Sequence, residues 1–353
     1  MWIERARQAA LPVVAVVALI VVVVAASISS ANAGTLGYDY GAYDAAVRRV
    51  LAGGVLYDAS PEFMGARGLF FYPPPFILLA LPFTLLDPGI VVWAWTAGLV
   101  AAFVAAVALM PVGGRIKWLV LLLGALSWPL IFAIKLGQVG PILLLTFAIA
   151  WRWMDRPWRF GTAAAIGTAI KLQPALLLGW ALVTGRRRAL VAGVAVLGAL
   201  ALIATLIAGP AAWGDQAALL ARVSLPIDTP HNFTPGRLAF EAGLGSDIAF
   251  GIQLLNWALV IVVVLVAIVR CSAVGSYLAV VIATQLASPI LWDHYALILL
   301  LPVAWLLSQG RRWAVIIPLA TSVILVGVIP PFTYPLVFWV SMVAVVREGW
   351  VTA

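Results

Sequence analysis

The sequence predicts an all-α polytopic membrane protein, and three observations support that fold class. Of the 353 residues, 65% are hydrophobic and only 10% are charged, whereas a soluble domain carries about 25% charged residues. Long apolar runs, such as residues 11–26 and 189–208, are typical of membrane-spanning helices. These runs do not alternate apolar and polar residues, as the strands of a membrane barrel do. The composition excludes a soluble domain and a disordered chain, and it disfavours a barrel.

Basic clusters between the apolar runs give the predicted spans an orientation. We predict about 12 transmembrane helices, near residues 11–30, 89–110, 117–134, 140–152, 160–171, 174–184, 189–208, 252–269, 274–287, 295–308, 313–329 and 335–346. The segments that this topology places inside hold 14 of the 21 basic residues and three of the 13 acidic ones, in agreement with the positive-inside rule. Residues 1–353 are thus expected to form a single integral membrane domain with cytoplasmic N- and C-termini.

Two long outer loops, 31–88 and 209–251, follow from this topology. Segment 70–86 in the first loop is nearly long enough to span, and a span there would invert the later topology. The three prolines after Tyr72, together with Pro82, favour an interfacial or re-entrant helix instead. Residues 1–33 resemble a signal peptide, but their apolar stretch is long for one, so we expect residues 11–30 to be retained as the first span.

The charge and the few metal-binding residue types narrow the possible partners. The net charge of +8 is similar to that of a nucleic-acid-binding protein, but basic residues at span ends report orientation. The single Cys271 cannot form an intramolecular disulfide, and with only two histidines a zinc site is disfavoured. We therefore expect membrane lipids as partners, and no nucleic acid, no metal and no cofactor.

Polar residues collect on the outer side of the predicted topology. The outer set comprises Asp39, Lys135, Gln138, Lys171, Gln173, His231, Asp293 and His294. Ionisable residues near the bilayer are costly and are typical of functional sites. We therefore expect a site on the outer face, covered by the two long loops.

The first outer loop begins with a helix whose polar residues have more than one interpretation. Asp39, directly after the first span, is either an N-cap or a functional carboxylate. Tyr43 contributes to an apolar face, so the helix is expected to lie along the membrane surface. Asp44 and Arg48 are four residues apart, which favours a surface salt bridge.

Two lysines and a histidine interrupt the apolar segments elsewhere. Lys135 and Lys171 each either snorkel to the interface or bind an anion. Lys171 precedes Pro174, a good first residue for a helix, whose N-terminus would add a positive dipole. His294 either is hydrogen-bonded in the headgroup zone or belongs to a site, and Asp293 either orients it or caps the span.

Five motifs occur in a fixed order within residues 36–310: DYGAYDAAVRRVLAGGVLYD, FFYPPPFILLALP, KLGQVGPILLL, AIKLQPALLL and SPILWDHYALILLLP. This order resembles glycosyltransferase family 87, the polyprenyl-phosphate-mannose-dependent α-mannosyltransferases with the type C membrane glycosyltransferase fold. The resemblance implies sugar transfer on the extracytoplasmic face of the plasma (inner) membrane, from a polyprenyl-phosphate sugar donor to a lipid or glycan acceptor.

The resemblance also implies roles for individual residues. Asp39 matches the acid after the first span that serves the family as catalytic base. Residues 292–294 match a Trp-x-His element of the family. Residues 171–174 match a Lys-x-x-Pro vertex, where a vertex is the turn between two spans, and residues 137–138 match a Gly-Gln pair. Residues 231–234, His-Asn-Phe-Thr, depart from the family's Asn-Gln-Ser type motif, which leaves the acceptor open.

These observations predict an enzyme that transfers a sugar, with mannose as the favoured candidate, to an acceptor hydroxyl with inversion of configuration. Asp39 and His294 are the predicted catalytic residues. The predicted substrate-binding residues are Lys171, Gln138, Lys135, Arg48, Tyr43, Tyr72, Asp293 and His231. A single base without a carboxylate nucleophile predicts inversion, and a phosphate leaving group needs the positive charge that Lys171 carries. The alternatives are a polytopic transporter or lipid-linked sugar flippase, which the one-sided polar residues disfavour, and a non-catalytic assembly partner.

Overall fold

The computed structural model describes residues 2–58, 69–229 and 231–351. Within these ranges every regular element is a helix, and an isolated bridge pairs Cys271 with Trp350. Residues 59–68, which belong to the predicted first outer loop, lie outside the described residues. The predicted all-α class is therefore confirmed for the described part of the chain.

The helices are numerous and vary widely in length. The α-helices are, in chain order, α1 (Trp2–Asn32), α2 (Tyr38–Leu51), α3 (Ile77–Ala80), α4 (Pro88–Leu109), α5 (Gly114–Ala125), α6 (Trp128–Leu136), α7 (Gly140–Arg152), α8 (Pro157–Ile170), α9 (Leu176–Val183), α10 (Arg187–Ala208), α11 (Ala211–Val223), α12 (Pro235–Glu241), α13 (Ser246–Arg270), α14 (Ala273–Leu286), α15 (Leu300–Ser308), α16 (Ile316–Leu325) and α17 (Tyr334–Gly349). Turns of 3₁₀-helix lie at Pro74–Phe76, Leu81–Leu85, Gln173–Ala175, Asp293–Leu299, Arg312–Val315 and Pro331–Thr333.

The lengths of these helices indicate a multi-pass membrane protein. Among the described residues, the helices long and apolar enough to cross a membrane are Ala10–Asn32, Pro88–Leu109, Arg187–Ala208 and Ser246–Arg270. Helices α5 and α6 form a pair bent by 60° that would make one further span. Further apolar helices of 10–17 residues also occur. The number of 12 spans stays a prediction.

Each predicted span overlaps a helix, but segment 117–134 is broken. Its two helices meet at residues 126–127, where Ser127 Oγ donates a hydrogen bond to the Gly124 carbonyl at 2.7 Å. Pro129 lies in the first turn of α6. Proline lacks an amide hydrogen and disfavours a helical residue before it, so α5 cannot continue through this point.

Helix α14 runs through the interior of the bundle. All residues from 275 to 286 are buried, and so are those from 293 to 306. By contrast, α1, α10 and α13 bury between 17% and 22% of their apolar windows, which leaves their apolar side chains to face lipid. The vertex after α14 therefore lies deep among the other helix ends.

Two glycines allow the start of α2 to meet the end of α6. Gly37 has a φ of 72°, and its amide donates a hydrogen bond to the Lys135 carbonyl at 2.9 Å. Gly137 has a φ of 71°, and a Cβ there would lie 3.2 Å from the Gly37 Cα. Both the left-handed φ and the close approach require glycine. The contact places Asp39 beside Gln138.

The segment that the sequence placed within the first outer loop is helical. Helix Pro74–Leu85 has 12 residues in mixed α and 3₁₀ turns. At 1.5–2.0 Å per residue it reaches about 18–24 Å, less than the hydrocarbon thickness of about 30 Å. Its interfacial or re-entrant position, like the surface position of α2, stays a prediction.

Candidate active site

The vertices predicted on the outer side meet around a cavity of about 520 Å³. Eight predicted site residues line it: Asp39, Tyr43, Tyr72, Gln138, Lys171, His231, Asp293 and His294. Its apolar lining includes Leu69, Phe71, Phe132, Leu136, Leu172, Leu220 and Val223. Apolar walls with a few convergent polar groups are typical of a ligand site. Within the described ranges, no three His, Cys, Asp or Glu side chains group together as metal ligands.

Asp39 lies in the first turn of α2 but does not cap the helix. The N-cap is Gly37, and Asp39 Oδ2 instead accepts a hydrogen bond from Gln138 Nε2. The N-cap interpretation is therefore wrong, because tertiary packing engages the carboxylate. Burial raises the pKa of the Asp39 carboxyl to about 6, against smaller opposing effects of the Gln138 hydrogen bond and the Lys171 charge. A carboxyl that titrates near neutral pH suits a general base.

Lys171 follows α8, and its ammonium group lies among aromatic rings. Nζ donates a hydrogen bond to Tyr295 Oη at 3.1 Å and lies 4.2 Å from the centroid of that ring. It is 5.9 Å from the ring centroids of both Tyr72 and Trp292. In the described part of the chain Lys171 forms no ion pair with a carboxylate. The rings stabilise the charge, which leaves it available to an anionic ligand.

His294 is a buried histidine without a protein partner. The residue is 3% exposed, yet neither Nδ1 nor Nε2 has a hydrogen-bond partner among the described residues. Its ring lies 5.0 Å from the ring of Tyr295 and 5.9 Å from that of Trp292, between centroids. Unpaired buried nitrogens cost free energy. A ligand in the cavity that His294 lines would supply the missing partners.

The second long loop contacts the cavity wall through a pair of side chains. His231 Nε2 lies 2.5 Å from Asp293 Oδ2, and this hydrogen bond raises the pKa of His231. The Asp293 side chain is 5% exposed, whereas that of His231 is 61% exposed. His231 also has a φ of 55°, which is uncommon for a residue other than glycine. Asp293 thus holds the loop through His231.

Asn232 fastens this loop to the neighbouring vertex. Its Nδ2 donates hydrogen bonds to the carbonyls of Pro226 and Pro289 at 3.0 and 3.1 Å. Its Oδ1 accepts hydrogen bonds from the amides of Thr234 and Leu291 at 3.0 and 2.8 Å. The residue is 2% exposed. Asn232 therefore acts as an anchor between two segments that are distant in sequence.

Replacing Asn232 by alanine is expected to lower the stability of the protein by about 2–4 kcal/mol, because buried backbone groups on both segments lose their partners. Thermal unfolding of the purified protein in nanodiscs measures the change. The matched control is Asp228→Ala, an exposed residue of the same loop, which is expected to stay within about 0.5 kcal/mol. Equal unfolding temperatures for the two variants would contradict the anchoring role.

The structure does not bring Lys135 and Arg48 to the cavity. Lys135 Nζ lies 5.8 Å from the Phe132 ring centroid, and the residue is not part of the cavity lining. Arg48 Nε donates to Asp44 Oδ2 at 2.7 Å in a partly exposed pair, which confirms the predicted salt bridge. Nine residues at 100° each put Arg48 on the face of α2 opposite Asp39. The binding role predicted for these two residues has no geometric support.

Tyr295 is a cavity residue that the sequence analysis missed. It accepts the hydrogen bond of Lys171 and packs against His294. Its position directly after the Asp-His pair is a signal, but aromatic residues are common where spans meet the interface. A tyrosine there does not by itself indicate a site.

Comparison with known families decides which family this is. The model of glycosyltransferase family 87 matches residues 70–291, well over half of the chain. This chain belongs to glycosyltransferase family 87. The resemblance seen in the sequence motifs is thereby confirmed. The matched segment includes the cavity residues Tyr72, Gln138, Lys171 and His231, whereas Asp39 and His294 lie outside it.

Two curated relatives are similar over much of the chain. A Mycolicibacterium smegmatis protein is 28% identical over 269 residues, which cover 72% of this chain and 64% of the relative. A Mycobacterium tuberculosis protein is 28% identical over 278 residues, which cover 74% and 63%. Both are named polyprenol-phosphate-mannose-dependent alpha-(1-2)-phosphatidylinositol pentamannoside mannosyltransferase. The chain thus spans less than two thirds of the length of these relatives. No solved structure matches it.

Proposed function

We propose that this protein is a membrane glycosyltransferase that moves a sugar from a polyprenyl-phosphate donor to a hydroxyl of a lipid or glycan acceptor. The observation that carries the proposal is a cavity lined by the Asp39 carboxylate, the Lys171 ammonium and the unpaired ring of His294. A proton acceptor, a fixed positive charge and apolar walls suit transfer from a lipid phosphate. Family membership and the names of the two relatives support mannose as the sugar.

Asp39 is the proposed general base. Its carboxylate takes the proton of the acceptor hydroxyl while that oxygen attacks the anomeric carbon of the donor. A bond forms between the acceptor oxygen and this carbon. The bond from the carbon to the phosphate oxygen breaks, and its electron pair leaves with the phosphate. Because no carboxylate acts as a nucleophile, the anomeric configuration inverts.

Lys171 is the proposed phosphate-binding residue. The phosphate gains negative charge as the sugar departs, so a fixed ammonium stabilises the transition state more than the ground state. His294 is proposed to hydrogen-bond a reacting oxygen, since both of its ring nitrogens lack protein partners in the described ranges. The apolar lining, which includes Phe71 and Leu172, suits the polyprenyl chain.

The proposed function includes a membrane topology that sets the side of the membrane on which the cavity lies. A single integral domain over residues 1–353, with 12 spans and cytoplasmic termini, would set the cavity on the extracytoplasmic face of the plasma membrane. The basic residues support this orientation, because they collect at the helix ends away from the cavity vertices. The turns that this topology predicts on the outer side contribute residues to one cavity, which supports it as well.

Transfer of radiolabelled mannose from polyprenyl-phosphate mannose into membrane lipids tests the activity. Mannosylated phosphatidylinositol is the first acceptor to offer, because the relatives' names contain a phosphatidylinositol pentamannoside. Label that moves with the wild type supports the proposal. Movement of the intact donor across a vesicle membrane without sugar transfer would favour the flippase alternative.

The rate of transfer is expected to fall as the pH drops through about 6. Asp39 accepts a proton only when ionised, so kcat/KM declines about tenfold per pH unit below its pKa. A pH series of initial rates measures the midpoint. Because the hydrogen bond to Asp293 raises the pKa of His231, this histidine also titrates, so the series is repeated with His231→Gln, in which the acid limb is expected to persist. A midpoint near 4 would contradict a buried Asp39 as base.

A further inference from the structure

A buried chain of hydrogen bonds ends on one oxygen of Asp39. The Tyr43 and Tyr72 hydroxyls are 2.7 Å apart. Tyr72 Oη donates to Gln138 Oε1 at 3.0 Å, and Gln138 Nε2 donates to Asp39 Oδ2. Tyr43, Tyr72 and Gln138 are 1%, 6% and 4% exposed, so this chain is shielded from water.

The ionised state of Asp39 fixes the direction of every bond in the chain. A carboxylate only accepts hydrogen bonds, so Gln138 must turn its amide nitrogen towards Asp39. The amide oxygen then faces Tyr72, which must donate to it and therefore accepts from Tyr43. Tyr57 Oη donates to the Tyr72 carbonyl at 2.6 Å and holds that backbone in place.

We propose that Gln138, Tyr72 and Tyr43 are positioning residues that hold Oδ2 of Asp39 and leave Oδ1 to accept the proton of the acceptor hydroxyl. This inference rests on the proposed role of Asp39 as base. It replaces the sequence interpretation, in which all three residues bind substrate. Among the described residues, the Asp39 carboxylate is hydrogen-bonded through Oδ2, which leaves Oδ1 available as the proton acceptor.

The pKa of Asp39 depends on the charged and titratable groups around it as well as on the hydrogen-bond chain. Lys171 faces it from the end of α8 and favours the ionised form, whereas burial disfavours it. The other titratable groups in the cavity lining are Tyr38, Tyr43, Tyr72, His231, Asp293, His294 and Tyr295. A hydrogen bond donated to the carboxylate also favours the ionised form, so loss of the Gln138 donor raises the pKa of Asp39.

Gln138→Met tests the inference, because methionine has a similar shape and no donor. The midpoint of the acid limb of kcat/KM is expected to rise by about one pH unit. Above the midpoint kcat is expected to fall about tenfold, with KM for both substrates within about twofold. Tyr72→Phe, which keeps the ring, is expected to shift the midpoint in the same direction by less. It also carries the test if Gln138→Met fails to fold.

The matched control is Gln173→Met, in the same cavity lining. The Gln173 amide donates to Ser288 Oγ at 3.2 Å and does not contact Asp39, so its midpoint is expected to equal that of the wild type. An unchanged midpoint with a raised KM in Gln138→Met would overturn the inference, since Gln138 would then bind substrate.

A readout that does not depend on transfer separates this inference from the proposed function. Infrared titration follows the carboxyl band that disappears in Asp39→Asn. An upward shift of this band's midpoint in Gln138→Met supports the positioning role, even if the wild type transfers no sugar and the proposed function fails. An identical midpoint in wild type and variant overturns the positioning role.

Discussion

Replacing Asp39 by asparagine is expected to reduce sugar transfer by about 10²–10⁴-fold, because the amide cannot accept the proton of the acceptor hydroxyl. Asparagine has nearly the same shape and still accepts a hydrogen bond from Gln138 through its oxygen. The loss should therefore appear in kcat, with the unfolding temperature unchanged. Initial rates from radiolabelled donor and thermal unfolding of the same preparation measure both quantities.

Asp44→Asn is the matched control for this variant. Asp44 lies on the same helix, pairs with Arg48 at 2.7 Å and does not line the cavity. Its substitution removes a partly exposed ion pair, which contributes about 0.3–0.5 kcal/mol, and is expected to change the transfer rate by less than about threefold. Near-normal transfer by Asp39→Asn, or an equal loss in the two variants, would reject Asp39 as the base.

Replacing Lys171 by methionine is expected to lower kcat/KM for the donor by about 10²–10³-fold, because the departing phosphate loses its charged hydrogen-bond donor. The substitution should not destabilise the fold. Lys171 is packed among the rings of Tyr72, Trp292 and Tyr295, and an apolar chain of similar length fits that environment without the cost of burying a charge. Donor kinetics and unfolding temperature are the two measurements.

Lys135→Met is the matched control, because it tests whether donor kinetics depend on a positive charge inside the cavity or on any lysine between apolar segments. Both lysines interrupt apolar segments in similar sequence surroundings, but Lys135 lies outside the cavity lining, with Nζ near Phe132. Its variant is expected to keep donor kinetics within about twofold. A loss as large as that of Lys171→Met would show that Lys135 reaches the donor, as the sequence analysis predicted.

The helical segments and the vertices between them were predictable because they depend on local properties. Residues 140–152 were predicted as a span and form α7, and segment 89–110 corresponds to Pro88–Leu109. Apolar length and the positions of proline and glycine are visible in a short window of sequence. The same window did not reveal the 60° bend between α5 and α6, because a proline such as Pro129 is also tolerated inside a continuous membrane-spanning helix.

The sequence also placed the chemistry-bearing residues at one end of the bundle, and eight of them line one cavity. It assigned Lys135 to substrate binding together with Lys171, and it assigned Gln138 and Tyr72 to substrate binding as well. These distinctions depend on contacts between residues far apart in the chain. Asp39 and Gln138 are 99 residues apart, and Lys171 and Tyr295 are 124 apart.

The sequence by itself therefore determined that this is a helical membrane protein, which residues stand at its vertices and which family it resembles. Only the tertiary structure decided that Gln138 hydrogen-bonds Asp39, that His294 is buried without a partner, and that Arg48 faces away. The physical reason is that apolar length and backbone preferences act within one helix. Burial, hydrogen bonding and the pKa of Asp39 arise where separate helix ends pack together.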